Sequence, residues 1–153
     1  MTLVASMTSL KDALISANLT GIDADNCVIE DEGVFNNILL RDDDDYRRAL
    51  IVGYDGMRRK GSSEFGGTLL CWNLTVTAFV LLWGDVEERT NRIQDALGLV
   101  DEIFQAINDN STLGNEVMDT MIVAAEPPLL YERQQMNDYM MLVLHLDITE
   151  NLD

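Results

Sequence analysis

The sequence predicts an α+β fold: a mixed, mostly antiparallel β-sheet packed by two amphipathic helices, with a long glycine-rich loop or hairpin arm between early strands. Three observations predict it. Leu69 to Leu82 alternates with a period of two, Val86 to Ile107 repeats apolar residues at helical spacing, and Tyr139 to Ile148 alternates again. Residues 1–153 are read as one domain, because 153 residues with 47% hydrophobic content suffice for one sizeable core.

Each element follows from its own residues. Leu3, Met7, Leu10 and Leu14 recur at spacings of four and three, Thr2 is placed as an N-cap, and Gly21 follows, so a first helix is expected to about Asn18. Asp23 to Glu32 surrounds Cys27-Val28-Ile29 with acids, which predicts a solvated loop around a brief strand at most. Val34 to Leu40 reads as a strand weakened by Asn36 and Asn37, and Asp42-Asp43-Asp44-Asp45 as a turn, since adjacent carboxylates repel unless hydrated. Ala49 to Gly53 reads as a second strand. Tyr54 to Gly67, rich in glycine and holding Arg58, Arg59 and Lys60, reads as a mobile connection or a hairpin arm.

In the next strand Trp72, Leu74, Val76, Ala78, Val80 and Leu82 share one wholly apolar face. The other face is polar in the middle and apolar towards Phe79 and Leu81, which suits partial cover by a second helix or a neighbouring subunit. Trp83-Gly84 closes the strand, and Asp85 with Glu88 resembles a capping box. The long helix is assigned the seam Val86, Ile93, Leu97, Val100, Phe104 and Ile107; about 24 residues would span roughly 36 Å, enough to cross a sheet. After Asn110 to Val117, a strand is expected from Val117 to Ala125, stopped by Pro127-Pro128, and Leu129 to Asp138 leads to the last strand. That strand places Met140, Leu142, Leu144, Leu146 and Ile148 on the core face, with Tyr139, Met141, Val143, His145 and Asp147 opposite.

Charge narrows the function classes. The net charge is −17, from 27 Asp plus Glu against 10 Lys plus Arg, and such a surface repels nucleic acid and anionic lipid. The apolar run at residues 78–83 is far short of the roughly 20 residues of a membrane-spanning helix, so no membrane partner is expected. Cys27 and Cys71 lack the spacing of a zinc or redox motif and are read as buried reduced thiols. No catalytic residue, cofactor or metal site is assigned. His145 has no nucleophile motif beside it, the aspartate run lacks a calcium loop's alternating spacing, and the glycines lack the lysine and hydroxyl of a phosphate loop.

Six of the ten basic residues, Arg41, Arg47, Arg48, Arg58, Arg59 and Lys60, crowd one region of an otherwise acidic chain. This asymmetry favours head-to-tail contact between copies. The candidate interface residues are therefore Arg47, Arg48, Tyr54, Met57, Arg58, Arg59, Lys60 and Phe65, and the candidate acidic surface is Asp42, Asp43, Asp44 and Asp45.

The second half, with Trp83-Gly84, an acidic helix start, Leu97 to Ile107, Asn110 to Val117, Met121-Ile122-Val123 and a closing hydrophobic strand, resembles tail terminator or tail completion proteins of tailed phages. The likeness covers about residues 47 to 150. It implies a hexameric ring of this chain on the tail tube protein, ending tube growth and meeting a head-completion or adaptor protein in the neck. It further implies a virion location after assembly in the host cytoplasm, and passage of genomic DNA, without specific binding, through a lumen kept acidic. By position, Tyr54 to Gly67 corresponds to the loop that in the family meets the neighbour or the tube, whereas Asp23 to Asp45 matches nothing in it. Two other readings stand beside this one: another neck component of the same virion, and an acidic DNA-mimic inhibitor.

Overall fold

One long strand is the spine of the molecule. β3 (Thr68–Leu82) is flanked on both sides by strands of equal length, β2 (Arg48–Ser62) and β6 (Asp138–Leu152), each antiparallel to it. The computed structural model describes residues 3–30, 48–62, 68–82, 86–131 and 138–152. The remaining elements are α1 (Leu3–Ser16), β1 (Cys27–Ile29), α2 (Val86–Asp109), β4 (Asp119–Ala125) and β5 (Leu129–Tyr131). The six-stranded sheet runs β1-β2-β3-β6-β4, with β5 also paired to β6; only β1 with β2 is parallel. The chain is thus α+β with a mixed, mostly antiparallel sheet and two helices.

Alternation in β3 sorts its side chains as expected. Leu74, Val76, Ala78, Val80 and Leu82 are buried, and the first four pack with Leu142, Leu144, Leu146 and Ile148 of β6 beneath both helices. From α1 come Met7, Leu10 and Leu14; from α2, Ala96, Leu99, Ile103 and Ile107. Removing this much apolar surface from water is the main force holding the layers together. The second face of β3 was expected to be partly covered by a helix or a neighbour. Among the described residues both helices lie on the first face, while Ala49, Ile51, Phe79, Leu81 and Tyr139 form a small second cluster, with Phe79 and Tyr139 edge to face at 6.1 Å.

Several boundaries differ from expectation. β2 does not stop at Gly53 but continues to Ser62, because β3 supplies ladder partners as far as Thr68; of the alternatives for Tyr54 to Gly67, hairpin describes its first part. Asp55 and Lys60 fall at register shifts in that ladder. β4 starts at Asp119, two residues later than expected, and Leu129–Tyr131 is paired strand instead of connection. Val34 to Leu40, Asp42 to Asp45 and Trp83-Gly84-Asp85 lie outside the described residues.

The seam assigned to α2 is corrected in part. Ile107 is buried and Val100 packs against the core as assigned, but Ile93, Leu97 and Phe104 are 36%, 47% and 38% exposed, and Ala96, Leu99 and Ile103 are buried against the sheet instead. Ile93, Leu97 and Phe104 are spaced by four and seven and Ala96, Leu99, Ile103 and Ile107 by three and four, so helical periodicity fits either set. The small Ala96 and Ala106 allow close approach to the neighbouring layers, and Leu113 and Val117, buried in the following loop, continue the stripe begun by Leu99, Ile103 and Ile107.

That loop reverses the chain through consecutive left-handed residues, Leu113, Gly114 and Asn115, at φ of 50°, 74° and 67°. Leucine is disfavoured there, and the surroundings offset the cost. The Asn110 carboxamide oxygen accepts from the Gly114 amide at 2.8 Å, and the Thr112 hydroxyl accepts from Asn115 at 3.2 Å. Leu113 itself is buried.

Candidate interaction surface

Three surfaces gather side chains that the packing does not consume. The first is the polar part of the second sheet face. There Asp147 of β6 accepts from Arg58 Nη2 of β2 at 2.6 Å, and His145 Nε2 lies 2.9 Å from Glu126 Oε2 with Nδ1 3.6 Å from Asp55 Oδ2. Hydrogen bonding with Cys71 and then the Asp147 charge raise the Arg58 pKa, favouring the charged guanidinium. Burial chiefly raises the Cys71 thiol. Gly53 lies beneath this patch where a Cβ would come within 2.7 Å of both Glu30 Oε2 and Thr75 Oγ1, so a side chain there must displace them.

The second is made of two separate sets of exposed apolar side chains, one on α2 and one on the β4–β5 edge, where Met121 pairs with Asp147 and so shares the sheet face opposite the helices. Ile93, Leu97 and Phe104 face away from the core, and Met121, Val123, Leu129 and Leu130 are each about half exposed. Val123 is the extra residue of a bulge between Ile122 and Ala124, and Pro127-Pro128 interrupts the edge between β4 and β5. Bulges and prolines prevent a new strand from pairing there. What the edge offers is apolar side chains rather than a free ladder.

The third surface is the outer edge of β2. β1 pairs only with Leu50, Ile51 and Val52, so from Tyr54 onward β2 has no partner on that side among the described residues. Tyr54 and Met57 are 47% and 49% exposed.

The structure divides the candidate interface residues. Tyr54 and Met57 are exposed as an interface requires, while Arg58 is paired within its own chain. Arg48 donates to the Thr20 carbonyl at 2.9 Å, tying β2 to the loop after α1. Arg59 and Lys60 lie in β2; their side chains, together with Arg47, Phe65 and Asp42 to Asp45, lie outside the described residues.

One buried polar constellation had no sequence signal. Glu150, 3% exposed, accepts from Ser6 Oγ at 2.7 Å and Trp72 Nε1 at 2.8 Å, joining α1, β3 and β6. Its members are 144 and 78 residues apart along the chain, beyond any local pattern. A cleft of about 420 Å³ between α1 and α2 is lined by Ser16, Glu102, Gln105, Asp109 and Asn110 together with apolar side chains. Among the described residues, no group of three or more His, Cys, Asp or Glu is placed to hold a metal ion. Among the described residues, no helix is long and apolar enough to cross a membrane. A scan against protein-family models finds no match, and a search of curated proteins finds none either.

Proposed function

We propose that this chain is a ring-forming assembly protein of a phage tail, a tail terminator that caps the tail tube and joins it to the head. The observation that carries the reading is the exposed stripe Ile93, Leu97 and Phe104 on an otherwise well-packed helix. A helix normally turns such residues inward, and an uncovered row of them marks a protein contact. Of the segments that carry the family resemblance, the strands β3, β4 and β6 pair in one sheet and α2 packs on it, which supports the reading at the level of fold.

In this reading mechanism is geometry. Copies meet side by side, the completed ring matches the last tube layer, and its far surface offers no seat for another. Acid-rich walls repel the phosphate backbone, so DNA passes without being held. Location in the virion neck and contact with the tube and a head-side adaptor follow from the same proposal. The net charge of −17 equally favours the DNA-mimic reading.

Native mass spectrometry of the full chain, alone and mixed with tube protein, separates the two. A hexamer in either condition supports the terminator. A monomer or dimer in both conditions, displacing DNA from a nucleic-acid enzyme, overturns it in favour of the mimic.

A further inference from the structure

We infer that His145 is a proton-dependent clasp on the second sheet face: its imidazolium holds both β2 and the corner between β4 and β5, and loss of the proton frees β2 alone. The clasp lies within one copy of the chain and stands apart from the ring reading.

Register places the ring midway across the sheet. His145 pairs with Thr75 of β3 on one side and Ala124 of β4 on the other, and Thr75 in turn pairs with Gly53 of β2. The small residues at either end of that row, Gly53 and Ala124, leave the imidazole within reach of carboxylates from two other segments. Glu126, in the corner before Pro127-Pro128, has Oε2 2.9 Å from Nε2. Asp55, which the register shift between Tyr54 and Gly56 sets outside the β2 ladder, has Oδ2 3.6 Å from Nδ1. A β2 side chain thus reaches β6 across the whole width of β3.

The count of donors makes this arrangement sensitive to one proton. Ionised carboxylates only accept, whereas neutral imidazole has one N–H and imidazolium has two. Only the charged ring donates toward both partners. Once the proton is lost, a nitrogen lone pair must face one of the carboxylates, and the repulsion is greater at 2.9 Å than at 3.6 Å. The remaining hydrogen therefore stays on Nε2 with Glu126, and Asp55 loses its donor. The corner is also held by the Glu126 amide, which donates to the Val143 carbonyl at 2.9 Å, so the segment set free is the bulge in β2.

The other charged groups on this face do not switch with the ring. Among the described residues they are Glu30 after β1, Arg58 on β2, Cys71 on β3, Asp147 on β6 and, further along β4, Asp119. Arg58 is committed to Asp147 at 2.6 Å, and hydrogen bonding with Cys71 raises its pKa further. Burial raises the Cys71 thiol. Histidine is the side chain that ordinarily changes charge between pH 5 and 8, so the contact with Asp55 is present at the acid end of that window and lost as pH rises through it.

Because His145 is the chain's only histidine, long-range proton–nitrogen NMR of the full-length protein reads its charge and tautomer directly. Two protonated nitrogens are expected at pH 5.5 and the Nε2–H tautomer at pH 8. The Nδ1–H tautomer at pH 8 overturns the clasp. Amide hydrogen exchange, corrected for its intrinsic pH dependence, is compared at the same two values. Opening of residues 54–57 is expected to rise by about twofold to fivefold at pH 8, the range of exposed ion pairs, with residues 124–126 unchanged. H145Q, which has no proton to lose in this window, is expected to abolish the rise. A rise that persists in H145Q, is missing in the native protein, or is equal at 124–126 overturns the inference.

Discussion

The two faces of the central sheet are built from the same strands and have opposite characters. On the helix-covered face the alternating residues of β3 and β6 merge with α1 and α2 into one continuous apolar core. On the other face the same strands carry Phe79, Leu81 and Tyr139 at one end and Thr75, Thr77, His145 and Asp147 at the other. Alternation assigns residues to faces, and only the layer packed above a face decides how deeply they are buried. A long strand can therefore serve as core on one side while presenting chemistry on the other.

The sharpest way to break this comparison is to remove methylenes from the covered face. Leu146→Ala is expected to cost about 2–5 kcal/mol, because Leu146 is fully buried at the centre of the larger cluster. Met141→Ala, half-buried on the second face, is expected to cost clearly less in the same urea titration. Equal losses would mean that the faces are energetically alike.

Glu150 tests a polar exception on the covered face. Glu150→Ala leaves the Ser6 hydroxyl and Trp72 indole without their acceptor, at a cost of about 1–3 kcal/mol. Trp72 fluorescence reports the same change directly. If stability is unchanged, the constellation is incidental to the fold.

Cys27 gives a pH-dependent probe of the packing beneath α1. Burial pushes its thiol from the ordinary 9.0 up to about 12. The folded state therefore holds the proton more tightly than the unfolded state. The resulting stability is fully present below pH 9 and is lost as pH rises from 9 to 12, on the order of 1 kcal/mol by pH 10. Cys27→Ala should flatten this part of the alkaline titration, and native Cys27 should resist alkylation at pH 8. Rapid labelling of the native thiol would show that α1 does not seal it.

The smallest effect belongs to the polar patch. Arg58 pairs with Asp147 across the second face but is 60% exposed, and solvent screens such pairs. Arg58→Ala is expected to leave the thermal midpoint within error of the wild type. A marked drop would move this pair from the surface to the structural framework.

Much of the architecture was legible because alternation and helical spacing are local. β3, β6, α1 and the existence of α2 follow from residues close in sequence, as does the end of β4 before Pro127-Pro128. The inward side of α2 was not legible, since Ile93-Leu97-Phe104 and Ala96-Leu99-Ile103 both satisfy the same period. The length of β2 was hidden for a related reason: glycine and charged residues between Tyr54 and Ser62 disfavour a strand in isolation, and the ladder to β3 overrides them. Among the candidate interface residues Tyr54 and Met57 are exposed, and the partner of Arg58 within its own chain lies 89 residues away, beyond any local pattern.

Sequence alone determined the class of fold, the acidic balance and the residues able to form a core, because composition and periodicity are properties of neighbours along the chain. Tertiary structure decided which stripe of α2 remains uncovered, which charges are already paired, and how Ser6, Trp72 and Glu150 meet. Those outcomes depend on side chains brought together from distant segments, and no local pattern encodes which of two equally suitable surfaces the sheet will cover.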